Sequence, residues 1–206
     1  MEMELTKERT ALVVIDMQRA FLEDEGSLAK AGIDITGLKA ALEPCRRLLA
    51  SARQAGVPVI HTRYVYRPDY ADGGILVNYI MPQLREVDSL AAGTPDIEIV
   101  DELAPVDGET VIDKNRPSAF YATNIEPLLN GLGVDSLVVC GVTTNICVET
   151  TVRDASQRDY KVFVPKDATG ELEQLRYDGA LAGMAWVFAK IVDTDDVISV
   201  WGQGNQ

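Results

Sequence analysis

Asp16, Lys114 and Cys147 lie far apart in the chain, yet their types together suit nucleophilic acyl substitution: a carboxylate to carry a proton, an ammonium to steady charge and a thiol to attack carbon. Each closes or follows a short apolar run. Asp16 ends Ala11-Leu12-Val13-Val14-Ile15, Lys114 ends Val111-Ile112-Asp113, and Cys147 comes shortly after Leu137-Val138-Val139-Cys140. In an open parallel sheet, ligands bind beyond the carboxyl ends of the strands, so such residues meet at one rim. Asp16 would take the thiol proton and return it to a leaving nitrogen, Lys114 would hold that carboxylate and favour thiolate, and Cys147 would form a thioester. Each residue alone has a plainer explanation: a turn cap, an exposed charge, a small core residue. Three chemical types at one rim outweigh those explanations.

The stretch 141–149, Gly-Val-Thr-Thr-Asn-Ile-Cys-Val-Glu, places Cys147 on the first turn of an expected helix. Free N–H groups and the helix dipole there favour a thiolate, and the amides of Thr143, Thr144 or Cys147 can receive an oxyanion.

Apolar runs alternate with helical patterns from end to end, which predicts an α/β fold with a parallel sheet between helices. Strands are expected at Ala11 to Asp16, Val57 to Thr62, Thr110 to Lys114, Leu137 to Gly141, Lys161 to Val164 and near Val197 to Val200. Helices are expected at about Leu38 to Ala55, Ile125 to Leu132, Asn145 to Arg158 and Leu172 to Ala189. The first of these should stop at Gly56, with Pro58 beyond. From Tyr64 to Leu103 no periodicity holds, and long irregular connections are often binding elements. This one offers Tyr64, Tyr66, Arg67, Tyr70 and Tyr79.

A length of 206 residues suits one domain over 1–206. The net charge of −13 leaves no cationic excess for nucleic acid or an anionic membrane. Three cysteines without a CxxC pair give no disulfide framework, and the charged amino terminus does not resemble a signal peptide, so a reducing cytoplasm is the expected compartment. The single histidine, His61, is placed at the end of the second strand, without a ligand cluster around it. There is no GxGxxG after a strand and no GxxxxGK[ST]. No metal or cofactor is expected.

Residues 12–21 (LVVIDMQRAF), 113–120 (DKNRPSAF) and 141–155 (GVTTNICVETTVRDA) closely resemble the isochorismatase-like cysteine hydrolases, in that family's order and spacing over about residues 9–200. The resemblance implies a six-stranded sheet with helices on both faces, the triad Asp16, Lys114 and Cys147, and a cis peptide between Val142 and Thr143. Isochorismatases proper lack the cysteine. Nicotinamidases carry paired histidines after the second strand, whereas this chain reads His61-Thr62-Arg63-Tyr64. The closer resemblance is to the N-carbamoylsarcosine amidase, ureidoacrylate amidohydrolase and biuret hydrolase group. It implies a metal-independent amidohydrolase for a small amide, carbamoyl or ureido compound, and a homodimer or homotetramer. Gln18, Phe21 and Phe120 in these motifs, with Tyr64, Arg67 and Tyr70, are the candidate substrate-binding residues. The competing readings are a nicotinamidase-like or other hydrolase of the family, a thiol-redox protein, for which neither Cys140 nor Cys45 is an evident resolving partner of Cys147, and a non-catalytic member.

Overall fold

The computed structural model describes residues 5–202. Its core is a parallel sheet of β1 (Thr10–Ile15), β2 (Val59–Tyr64), β3 (Thr110–Lys114), β4 (Ser136–Val142), β5 (Lys161–Pro165), β6 (Thr169–Gly170) and β7 (Lys190–Val192). The strand order is β3-β2-β1-β4-β5-β7, with the short β6 paired to β4 beyond β5. Every residue of β1 and β4 is buried, as in a sheet covered on both faces. The chain builds outward from β1 through β2 to β3, then restarts at β4 on the other side of β1. Right-handed crossovers running in opposite directions put their helices on opposite faces, and the reversal opens a crevice between the carboxyl ends of β1 and β4.

Short helical turns α1 (Arg19–Leu22), α2 (Ser27–Lys30) and α3 (Thr36–Lys39) precede the long α4 (Leu42–Ala55); α5 (Ile125–Leu132), α6 (Glu149–Ser156), α7 (Gln174–Val187) and α8 (Thr194–Gly202) follow. Helix α4 buries Cys45, Leu48, Leu49 and Ala52 and ends at Gly56, whose φ of 71° places it in the left-handed region that closes helices. The expected single helix from Leu38 is two helices. Pro44 has no N–H to donate into a preceding turn, so α4 restarts at Leu42 with the proline in its first turn.

Two strand expectations need correction. The segment Val197–Val200 is not a strand but part of α8. Asp195 and Asp196 fill the first turn of α8, the Asp193 N–H donates to Asp196 Oδ2 at 3.1 Å, and Val197 and Trp201 are buried four residues apart. The strand is Lys190–Val192 instead, paired with β5. The second strand runs two residues later than expected, because Pro58 precedes it, and this puts His61 mid-strand and Tyr64 at the end. Helix α7 buries Ala180 and Met184 but exposes Leu175, Trp186 and Val187, so its apolar run does not mark a single buried face.

Gly141 lies beside Asp16 at the crevice. Its φ is +114°, and a Cβ there would collide with the Ile15 carbonyl, so β1 and β4 approach as closely as they do only because position 141 lacks a side chain. Gly141→Ala is expected to cost about 3 kcal/mol. A urea unfolding midpoint equal to that of the unsubstituted protein would refute this account of the β1–β4 contact.

Candidate active site

Asp16 follows β1 with φ of +50°, a left-handed conformation that a short polar side chain tolerates, and the Gln18 N–H closes the turn onto the Asp16 carbonyl at 2.7 Å. The turn points the carboxylate back over the strand ends. Thr62 of β2 donates its hydroxyl to Asp16 Oδ1 at 2.6 Å and accepts from the Asp16 N–H at 3.2 Å. Lys114, at the end of β3, reaches across β2 to donate to Asp16 Oδ2 at 2.7 Å; both side chains are 0% exposed. Its ammonium passes 4.3 Å from the centroid of the Tyr64 ring and also donates to the Arg116 carbonyl at 3.2 Å.

After β4 the Val142–Thr143 peptide is cis. Residues Thr144–Val148 then form a π-helical turn, with the Val148 N–H donating to the Thr143 carbonyl at 3.2 Å, and only at Glu149 does the ordinary helix α6 begin. This differs from the helix expected from Asn145. It wraps the cysteine inward, leaving Cys147 5% exposed and facing both Asp16 and Lys114. Burial is the largest influence on its thiol and pushes the pKa up; Lys114 pulls it down and Asp16 pushes it up again. The expectation that the helix start favours thiolate is therefore reversed in the free protein. Burial thus favours the protonated thiol, and Asp16 lies beside it to take the proton.

The turn holds further polar groups. Thr143 Oγ1, Thr144 Oγ1 and Asn145 Oδ1 are buried without a protein partner among the described residues. Glu171, itself buried, accepts from the Asn145 N–H at 3.0 Å, while the Ile146 and Val148 amides go to the Thr143 carbonyl. Thr143, Thr144 and Cys147 remain as the amides to consider for an oxyanion.

The sequence candidates part at this point. The structure brings together Asp16, Lys114, Cys147 and Tyr64, with Val142, Thr143 and Thr144 at the turn. Tyr66, whose hydroxyl donates to that of Tyr64 at 3.0 Å, joins them. Gln18 is a strut: its amide takes the Tyr64 N–H at 2.7 Å and donates to the Tyr64 and Ile97 carbonyls, which leaves little for a ligand. Phe21 packs in the hydrophobic core. Arg67 is exposed and held by Asp69 at 3.0 and 2.9 Å. Tyr70 is buried, donating to the Ser89 carbonyl at 2.9 Å, and Phe120 packs against Tyr160 and Arg158.

His61, too, lies away from the triad. Its Nε2 meets Glu109 Oε2 at 2.9 Å, and Glu109 is also held by Arg53. Burial lowers the pKa of His61. Burial alone would raise the Glu109 carboxyl, but Arg53, His61 and the Val106 amide hold it down at about 2. Among the described residues no group of three or more His, Cys, Asp or Glu side chains is placed to hold a metal ion. Cys45 and Cys140 face one another, and Cys45 also donates to the Ala168 carbonyl at 3.2 Å. No described helix is long and apolar enough to cross a membrane. Thr62 and Arg116 are the neighbours that motif reading passed over; Thr62 sits two residues before the strand end, on the same face as Tyr64.

The isochorismatase domain profile matches residues 10–196. The chain is 38% identical over 179 residues to ureidoacrylate amidohydrolase RutB of Rhizobium rhizogenes, covering 82% of this chain and 73% of that protein. Among solved structures, a cysteine hydrolase from Pseudomonas syringae pv. phaseolicola superposes with a TM-score of 0.88 at 31% identity, over 97% of this chain and 95% of that one. N-carbamoylsarcosine amidase from Thermoplasma acidophilum superposes with a TM-score of 0.73 at 27% identity, over 91% and 97%.

The balance of charges around the thiol makes a measurable prediction. The ultraviolet thiolate signal that Cys147→Ser removes should be absent at neutral pH and appear only above the usual cysteine value of 9.0. Asp16→Asn should move that midpoint down by removing the carboxylate that opposes ionisation. An unmoved midpoint would show that Asp16 does not act on the thiol.

Proposed function

Since the chain belongs to the isochorismatase family, we propose that it is a metal-independent cysteine amidohydrolase cleaving the C–N bond of a small amide, carbamoyl or ureido compound. The observation that carries this reading is the buried Cys147 thiol facing a carboxylate that Lys114 and Thr62 hold in place. Substrate class is supported by the names of the relatives, a ureidoacrylate amidohydrolase and an N-carbamoylsarcosine amidase.

The proton and the bonds can be followed through these groups. Asp16 takes the proton from Cys147 as Sγ attacks the carbonyl carbon, and the amides of Thr143, Thr144 or Cys147 receive the oxyanion. Collapse breaks the C–N bond, and Asp16 returns the proton to the departing nitrogen, releasing ammonia or an amine and leaving a thioester on Cys147. Water then gives a proton to Asp16 and its oxygen to the carbonyl carbon. Expelled sulfur recovers its proton from Asp16. Throughout, Lys114 keeps the carboxylate aimed and offsets negative charge near the sulfur. Metal independence is supported by the donor set: the Asp16 carboxylate facing the thiol is already bonded to an ammonium and a hydroxyl, and His61 is tied to Glu109.

Ammonia release from carbamoyl and ureido compounds tests the reading. Cys147→Ala should reduce turnover by at least about 10,000-fold without unfolding the protein. Asp16→Asn should lose about 100- to 10,000-fold, since no group remains to carry the proton. Mass spectrometry should find the trapped acyl group on Cys147, and dialysis against a chelator should leave the rate unchanged. Retained activity in Cys147→Ala, or loss on chelation that a divalent metal restores, would refute the mechanism.

A further inference from the structure

Close to the triad, the Arg116 guanidinium has no counter-ion among the described residues. In a chain of net charge −13 carboxylates are plentiful, and Arg9, Arg19, Arg53, Arg63, Arg153 and Arg158 each hold one. Among the described residues no carboxylate lies within ion-pair distance of Arg116. The guanidinium is fixed all the same: Nη1 donates to the Asp72 and Asn115 carbonyls at 2.9 and 2.5 Å. Two neutral carbonyls orient the planar group without pairing its charge, and it is only partly exposed, so solvent screens it incompletely. Gly74, with φ of +58°, lies against Nη2, where any side chain would collide with it.

The position is what gives the unpaired charge meaning. Lys114 donates to the Arg116 carbonyl, so the residue's main chain is tied to the catalytic ammonium. Its side chain lies near the Tyr66 hydroxyl, which also feels the Cys147 sulfur. On the outer side it lines an open cleft of about 540 Å³ with Ser118, Tyr121, Thr150, Arg153 and Asp154. Thr150 is three residues past Cys147 on the same helical path. Arg153 in that cleft is already paired with Glu149. Arg116 is therefore held close to the triad, oriented, and without a carboxylate partner among the described residues.

We propose that Arg116 is the receptor for an anionic group on the substrate, so that the preferred substrates are ureido or carbamoyl acids, with a carboxylate a few bonds from the scissile carbonyl, rather than neutral ureas or amides. An arginine fork and a carboxylate form two parallel charge-assisted hydrogen bonds, a match that a neutral amide does not supply. The identity of the scissile group rests on the function proposed above; the anion receptor does not.

The test separates the two by measuring binding without turnover. Calorimetry on Cys147→Ser should show N-carbamoyl-β-alanine binding at least about 10-fold tighter than propylurea, its uncharged counterpart. Adding Arg116→Gln should bring the ratio close to one. Arg116→Lys, which keeps the charge but loses the fork, should fall between and serves where the glutamine variant does not fold. Equal binding of the two ligands, binding of neither, or a preference that both Arg116 variants leave intact would overturn the receptor. Ammonia release from N-carbamoyl-β-alanine by the protein with Cys147 intact reads the reaction separately. Charge-selective binding without ammonia would refute the hydrolase reading and keep the receptor; ammonia without charge selectivity would do the reverse.

Discussion

The Lys114–Asp16 ion pair constrains the rest of this molecule, because both of its side chains are fully out of water. A buried charge is tolerated only when its partner and its remaining hydrogen bonds are in place, and removing one member typically costs about 3–5 kcal/mol. That requirement fixes the ends of three strands relative to one another. Asp16 must leave β1 through a left-handed turn, Thr62 of β2 must offer its hydroxyl, and Lys114 must extend from β3 over the Tyr64 ring. Gln18 then locks the Tyr64 backbone in both directions. Seen this way, the buried amide of Gln18 is part of the support for the ion pair, which is why it has little left to offer a ligand.

The same dry environment decides the state of the thiol. Water would let Cys147 ionise near its ordinary value; burial next to Asp16 does not, and the pull of Lys114 does not overcome both. A cysteine activated in advance would need only a cation nearby. One held neutral needs a base within reach that recovers the proton as the new bond forms, and Asp16, already positioned by two donors, meets that need without moving. The ion pair and the neutral thiol are two consequences of one choice, excluding solvent from the rim of the sheet.

Much of this was legible in the sequence, and the failures have physical causes. Asp16, Lys114 and Cys147 could be placed at one rim because apolar β-branched runs mark strands, and strand ends share an edge in a parallel sheet. The C-terminal strand was misplaced because Val197-Ile198-Ser199-Val200 suits a strand as well as a helix. Tertiary burial of Val197 and Trp201 on one face decides for α8. The thiol's ionisation was misjudged for a different reason: a helix start is a local property, whereas desolvation depends on everything packed around the sulfur. Tyr70 and Phe120 looked like ligand contacts because aromatic residues serve pockets and cores equally, and only their partners, the Ser89 carbonyl and Tyr160, tell the two apart. Arg116 stands in a quoted motif, yet what distinguishes it is the lack of a counter-ion among the described residues, which no local pattern records.

The irregular segment after β2 is a wall rather than a surface excursion. Tyr66 bridges to Ala91 and Gln18 to Ile99, so both ends are stitched to the body of the domain. Between them, the segment contributes the Asp72 carbonyl that orients Arg116 and the bare backbone of Gly74 that admits it. The charges then add up in one direction. Asp16 cancels Lys114, and Arg116, with no carboxylate partner among the described residues, adds positive charge near the triad, inside a protein whose overall charge is strongly negative. At long range such a protein repels anions, and that repulsion is screened within about 8–10 Å in physiological salt. Within that distance the fixed, partly exposed guanidinium of Arg116 attracts an anion that reaches the rim. Selectivity of this kind needs no pocket shaped to a particular molecule. It requires one arginine without a carboxylate partner, as Arg116 is among the described residues, and the carbonyls of Asp72 and Asn115 hold it through Nη1 alone, which leaves the Nε and Nη2 side of the fork for a ligand.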